Sequence, residues 1–115
     1  MAKIIIAGGR DFNDLNLMIK VFEESVHELD TLICGMAKGA DNMAYTLAEE
    51  RDIDIMCFPA NWKDHGKGAG FIRNNTMANV ADKLIAFWDG KSKGTQHMIK
   101  TAQKQGLDIE VHTYG

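Results

Sequence analysis

Charged and hydroxyl side chains gather around glycines at four places in this sequence. Arg10 and Asp11 follow Gly8 and Gly9, and Lys38 and Asp41 flank Gly39, just past Gly35. Lys67 and Arg73 surround Gly68 and Gly70, while Asp89, Gly90, Lys91, Ser92, Lys93 and Thr95 surround or precede Gly94. Glycine lets backbone approach a ligand closely. Free amides at a helix N-terminus, with cations beside them, then hold phosphate oxygens. Four such segments brought together suit a diphosphate or a nucleoside phosphate. Asp11, Asp41 and Asp89 have two roles open: accepting from ribose hydroxyls or a base edge, or capping the helices they precede. Ser92 and Thr95 have no base partner for nucleophilic work, so phosphate contact suits them better. Trp62 either stacks on a purine or lids the pocket, or packs over the sheet edge or a partner subunit.

The elements that must position these residues alternate along the chain. Strand-like runs occupy Lys3–Ala7, Thr31–Cys34, Asp54–Phe58, Lys83–Trp88 and Ile109–Thr113. The first, third and fourth are nearly continuously apolar, as for strands covered on both faces. Between them, Leu15, Met18, Ile19, Phe22, Val26 and Leu29 recur at helical spacing behind the capping candidates Asn13 and Asp14. Ala40, Met43, Ala44, Leu47 and Ala48 mark a second stripe, Ile72, Met77 and Val80 a weaker third. Thr95, Met98, Ile99 and Ala102 mark a fourth, stopped by Gly106. Strict alternation predicts an α/β fold, a Rossmann-like domain with a parallel sheet and helices on both faces. Gly8, Gly9, Gly35, Gly39, Gly66, Gly68, Gly70, Gly90 and Gly94 then follow strands, leaving only Gly106 and Gly115 elsewhere. All nine fall at the carboxyl edge of such a sheet, where ligands bind at a switch in strand order.

Composition bounds the rest. At 115 residues, 45% hydrophobic and 25% charged, the chain reads as one globular domain spanning 1–115. No run is apolar enough to span a bilayer and none has the form of a signal peptide, so a cytoplasmic protein without membrane contact is expected. A net charge of −3 disfavours non-specific nucleic-acid binding, which draws on a basic excess. Cys34 and Cys57 each sit in an apolar run and read as buried thiols rather than a disulfide. His27, His65, His97 and His112 lack metal-ligand spacing, so neither metal nor cofactor is expected. Neither a dinucleotide fingerprint nor a Walker-type loop is present.

Taken in order, the motifs resemble a known family. Gly8-Gly9-Arg10-Asp11-Phe12, Gly35-Met36-Ala37-Lys38-Gly39-Ala40-Asp41, Phe58-Pro59-Ala60-Asn61-Trp62, Gly66-Lys67-Gly68-Ala69-Gly70, Arg73-Asn74-Asn75-Thr76-Met77, Phe87-Trp88-Asp89-Gly90 and Gly94-Thr95 are similar to the YspA-like branch of the SLOG superfamily. These Rossmannoid domains are related to the LOG phosphoribohydrolases and the DNA-processing DprA proteins. The resemblance implies a five-stranded sheet of order 3-2-1-4-5 and a carboxyl-edge pocket for a nucleotide or nucleotide-derived ligand. An ADP-ribose-like molecule or a cyclic nucleotide signal, sensed or sequestered in phage–host conflict, fits that expectation. It also implies a homo-oligomer, a dimer or higher, and it adds Asn74 to the expected ligand contacts. LOG hydrolases carry glutamates after the Gly-Thr pair, whereas Gln96, His97 and Met98 stand here. Binding is therefore expected rather than bond cleavage, with a nucleoside-phosphate N-glycosidase as the alternative and DprA-like DNA binding third.

Overall fold

The computed structural model describes all 115 residues, apart from the side chain of Lys67. Five strands, β1 (Lys3–Gly8), β2 (Thr31–Cys34), β3 (Asp54–Cys57), β4 (Lys83–Trp88) and β5 (Asp108–Thr113), form one parallel sheet of order β3-β2-β1-β4-β5. The expected Rossmann-like architecture and strand order are present.

Alternation along β1 divides the core in two. Ile4 and Ile6 join Leu32, Cys34, Ile85 and Phe87 beneath α1 (Leu15–Ser25) and α2 (Ala40–Glu50). Ile5 and Ala7 join Ile33, Leu84 and Ala86 on the opposite face, beneath α4 (Ala69–Val80) and α5 (Lys93–Gln105). The chain thus winds outward from β1 along one face, crosses over through α4, and winds outward from β4 along the other. The loops leaving β1 and β4 diverge, and a crevice opens between their carboxyl ends. Asp14 starts α1 by accepting the Leu17 amide at 3.0 Å, and Gly106 ends α5 in the left-handed region.

Three expectations fail, all for reasons of position. β3 is the edge strand and is not covered on both faces: Asp54, Met56 and Cys57 are exposed and Ile55 half-buried. Cys57 is accordingly exposed, while Cys34 is buried as expected. Leu15, Leu29 and Ile72, assigned to apolar stripes, are exposed: Leu15 and Ile72 lie on the outer faces of α1 and α4, and Leu29 lies beyond the end of α1 at Ser25. After β3, Trp62 opens a short helix, α3 (Trp62–His65), followed by a 3-10 turn over Gly66–Gly68.

Candidate functional site

The first two glycine loops are locked to each other. A side chain at Gly8 would strike the Phe87 carbonyl and the Ala40 methyl, so β1 exits with its backbone pressed between β4 and α2. The Gly9 carbonyl accepts from Phe12 at 3.2 Å and from Ala40 at 3.5 Å. Gly39, at φ +76°, lies against that same carbonyl, where any side chain would be both strained and obstructed. Tyr114, arriving from β5, closes the outer side by donating to Asp11 Oδ1 at 2.7 Å. Its ring packs edge-on against Phe12, with centroids 4.9 Å apart.

Asp41 and Arg73 meet across Gly35. Asp41 lies in the first turn of α2 and is fully buried. Burial pushes its carboxyl up to about 6, opposed by the Arg73 guanidinium and by the backbone amides of Ala37, Gly35 and Gly8. Arg73 Nη1 donates to the Gly35 carbonyl at 3.1 Å, and Nη2 donates to Asn74 Oδ1 at 3.4 Å. Arg73 is therefore not a free cation at a loop edge, since it rises from α4 and ties down the second glycine loop. Its Nε is buried and has no partner among the described residues. Asn74, 3% exposed, continues the chain of bonds: Nδ2 donates to the Gly94 carbonyl at 3.4 Å and lies 3.2 Å from His97 Nδ1. His97 in turn stacks on Phe71 at a centroid distance of 4.2 Å. Desolvation and the charge of Lys104 hold its imidazole below the usual value.

The fourth loop prepares the start of α5. Ser92 caps the helix, with Oγ accepting from the Thr95 amide at 3.4 Å and lying 3.2 Å from Thr95 Oγ1. Asp89 Oδ1 accepts from the Lys91 and Ser92 amides at 2.8 Å each, which pulls its carboxyl below the ordinary aspartate value. Asp89 thus shapes the turn before α5, while the cap of that helix is Ser92 and not Asp89.

These loops enclose a cavity of about 440 Å³, within the range that holds small-molecule ligands. Of the expected contacts, Gly8, Gly9, Arg10, Asp11, Asp41, Trp62, Arg73, Asn74, Ser92, Gly94 and Thr95 line it. A neighbouring hollow of about 240 Å³ is lined by Gly35 and Lys38, together with Arg10, Trp62 and Arg73. Trp62, 51% exposed, forms a wall shared by both. Gly39, Asp89 and Gly90 line neither, and the Lys67 side chain lies outside what the structure describes. Sequence reasoning missed Ala37, Phe71, Met77 and Met98 as lining residues, and Tyr114 as the brace of the first loop. Tyr114 could have been found by one signal: it follows the fifth strand, so it too arrives at the carboxyl edge. Among the described residues, no three His, Cys, Asp or Glu side chains cluster as metal ligands. No helix among them is long and apolar enough to cross a membrane.

Comparison with known proteins places this fold and edge in context. The model of the YspA, cpYpsA-related SLOG family matches residues 2–65. The Gene 61 protein of Mycobacterium phage D29 is 31% identical over 118 residues, covering 95% of this chain and 94% of the relative. Among solved structures, DNA processing protein A (DprA) from Streptococcus pneumoniae superposes with a TM-score of 0.83 at 16% identity. It covers all of this chain, which spans only 51% of that protein. DprA from Helicobacter pylori, solved for its single-stranded DNA binding mode, gives a TM-score of 0.63 at 18% identity. It covers 96% of this chain and 64% of its own. At these identities the DprA structures show a shared fold. The family match covers more than half the chain and the phage relative nearly all of it, so the chain belongs to the YspA, cpYpsA-related SLOG family.

Proposed function

We propose that residues 1–115 form a domain that binds a nucleotide or nucleotide-derived ligand at the carboxyl edge of the sheet, for sensing or sequestration. The observation that carries this reading is the convergence of Arg10, Arg73, Asn74, Ser92 and Thr95 on one cavity at the N-terminus of α5. The Arg73 guanidinium lines that cavity and is fixed by its bond to the Gly35 carbonyl, which supports a preset positive charge for a phosphate. The apolar lining from Phe71, Met77 and Met98 suits a base or a ribose face. The phage relative fits a role in phage–host conflict. Thermal-shift measurements against nucleoside phosphates, ADP-ribose forms and cyclic dinucleotides test it. A ligand at about 100 times its dissociation constant adds about 2.7 kcal/mol. Failure of every phosphate-bearing compound to raise the melting temperature would reject the reading.

A second reading has its own observation. Trp62 stands beside Arg10 and Lys38 around the smaller hollow, an aromatic platform with cations such as single-stranded DNA uses. The DprA fold likeness agrees with it, and the net charge of −3 counts against it. Titration with a short single strand decides: DNA binding shows a steep salt dependence and falls with Trp62→Ala, whereas the small-ligand reading shows neither.

A further inference from the structure

The two cysteines stand 23 positions apart in sequence yet are partners in the sheet. Cys34 ends β2 and Cys57 ends β3, and the parallel register sets them directly beside each other. Neighbouring strands lie about 4.7–4.9 Å apart, within the roughly 4.4–6.8 Å Cα separation that a disulfide accepts. Paired residues project to the same face, here the face covered by α2. The Tyr45 hydroxyl on α2 is pushed up chiefly by Glu49, and both Cys57 and Cys34 contribute, as they must if both thiols lie near it.

The two thiols differ in ways that define a reaction order. Cys57 is exposed, whereas Cys34 is 1% exposed. Cys34 Sγ accepts from the Met36 amide at 3.4 Å and donates to the Asp41 carbonyl at 3.8 Å. It thereby holds both ends of the second glycine loop, including Met36 at a left-handed φ of +62°. Burial pushes this thiol up to about 11, so it is inert until a partner sulfur is activated beside it.

We propose that Cys34 and Cys57 are a paired oxidation site, closed to an intramolecular disulfide by a hydroperoxide, and that closure releases the loop between Gly35 and Asp41. Cys57 sulfur attacks the peroxide, breaking its O–O bond to give a sulfenic acid and one molecule of alcohol (or water from hydrogen peroxide). Cys34 sulfur then attacks the sulfenic sulfur, the S–S bond forms, and hydroxide leaves with the Cys34 proton as water. Two thiols and one peroxide become one disulfide, one alcohol and one water. Turning Cys34 Sγ toward β3 removes its contacts to Met36 and Asp41.

Oxidation of the whole chain by tert-butyl hydroperoxide tests this, followed by digestion without reductant and mass spectrometry. A monomer with a reducible Cys34–Cys57 crosslink is expected, with faster amide exchange over residues 36–41 than in the reduced chain. Cys34→Ala, which keeps a small buried side chain, leaves Cys57 to accumulate a sulfenic acid captured by dimedone. Cys57→Ser, at an exposed position, abolishes the crosslink and leaves Cys34 unreacted. Over-oxidised Cys57 beside a free Cys34, or crosslinking only between two copies, overturns the pairing. A crosslink with unchanged exchange over 36–41 overturns the coupling to the loop.

Discussion

Tyr114 and Asp11 are joined across almost the entire length of the chain, hydroxyl to Oδ1 at 2.7 Å. The bond ties the end of the chain to the loop after β1, and the Tyr114 amide also donates to the Trp88 carbonyl at 3.1 Å. Tyr114, just past β5, thus braces the end of β4 and the loop after β1 at the rim of the cavity. A side chain at Gly9 would collide with the Tyr114 hydroxyl, so glycine there is a requirement of this brace.

Tyr114→Phe separates the brace from the packing. The ring against Phe12 stays, and only the hydroxyl bond is lost. A loss of about 0.5–1.5 kcal/mol is expected from the urea midpoint, with an unchanged slope. Amide exchange at Gly9–Asp11 should quicken at the same time. Unchanged exchange there would mean that the bond does not hold the loop.

Arg73→Ala removes two things together. The Gly35 carbonyl loses a donor, and buried Asp41 loses the nearest charge that lowers its pKa. The apo fold should weaken by about 1–3 kcal/mol and the Asp41 carboxyl should titrate higher than in the parent. Affinity for a phosphate-bearing ligand should fall by about tenfold to a hundredfold, the equivalent of one charge-assisted hydrogen bond. Carboxyl NMR of Asp41, beside a denaturation curve, reads both. An Asp41 titration that does not move would deny the coupling.

Asp41 itself makes stability depend on pH in an uncommon direction for a carboxylate. Its folded pKa of about 6 lies above the ordinary aspartate value, so the folded chain binds this proton more tightly than the unfolded chain. That contribution is complete below about pH 4, is lost as pH rises through about 6, and stays lost above. The span amounts to about 2–3 kcal/mol. Asp30, Asp89 and Glu110, held low, act in the opposite sense and are common to parent and variant. The stability difference between the parent and Asp41→Asn therefore isolates the effect. It should shift in favour of the parent between pH 6.5 and pH 4, and a difference constant across that range would refute it.

The parts of this molecule that depend on local pattern were readable in the residues. Ile4–Ile5–Ile6 declares a strand buried on both faces, and glycine after each strand marks one edge, because both signals are written in neighbouring positions. What depends on topology was not readable from pattern. β3 is nearly as apolar as β1, yet its place at the edge exposes Met56 and Cys57. Ile72 keeps helical spacing with Met77 and Val80 but sits on the outer side of α4, because Ala69, Asn74, Met77 and Ala78 are the residues turned inward. The Cys34–Cys57 partnership is a matter of register between strands, which spacing along the chain does not contain. Asp89 and Asp41 look alike in sequence, each within two residues of a glycine near the start of a helix, and part only in the fold. One turns back onto the amides of its own loop, while the other is buried beside Arg73.

Catalysis supplies the last expectation. No base release from adenosine monophosphate or similar substrates is predicted, because the cavity wall contributed by α5 offers Thr95 and Met98 and no carboxylate. Met98 has two loyalties: it lines the cavity, and at 1% exposure it belongs to the core formed with Met77, Leu84 and Ala102. Met98→Glu therefore places a carboxyl one helical turn beyond Thr95 on the cavity side, where it would face a ribose whose phosphate rests on the start of α5. The same burial destabilises an ionised glutamate by several kcal/mol or keeps it protonated. Base release should accordingly be followed across pH beside a melting curve, for the parent and the variant. Release by the variant alone, growing as its carboxyl ionises, would show that the cavity holds a nucleotide in a hydrolysable pose and lacks only a carboxylate on its α5 wall. Sustained turnover by the parent would show the binding-only reading to be wrong. Asp41 would then be the carboxylate to replace first, since Asp89 is held by Lys91 and Ser92 and lies outside the cavity.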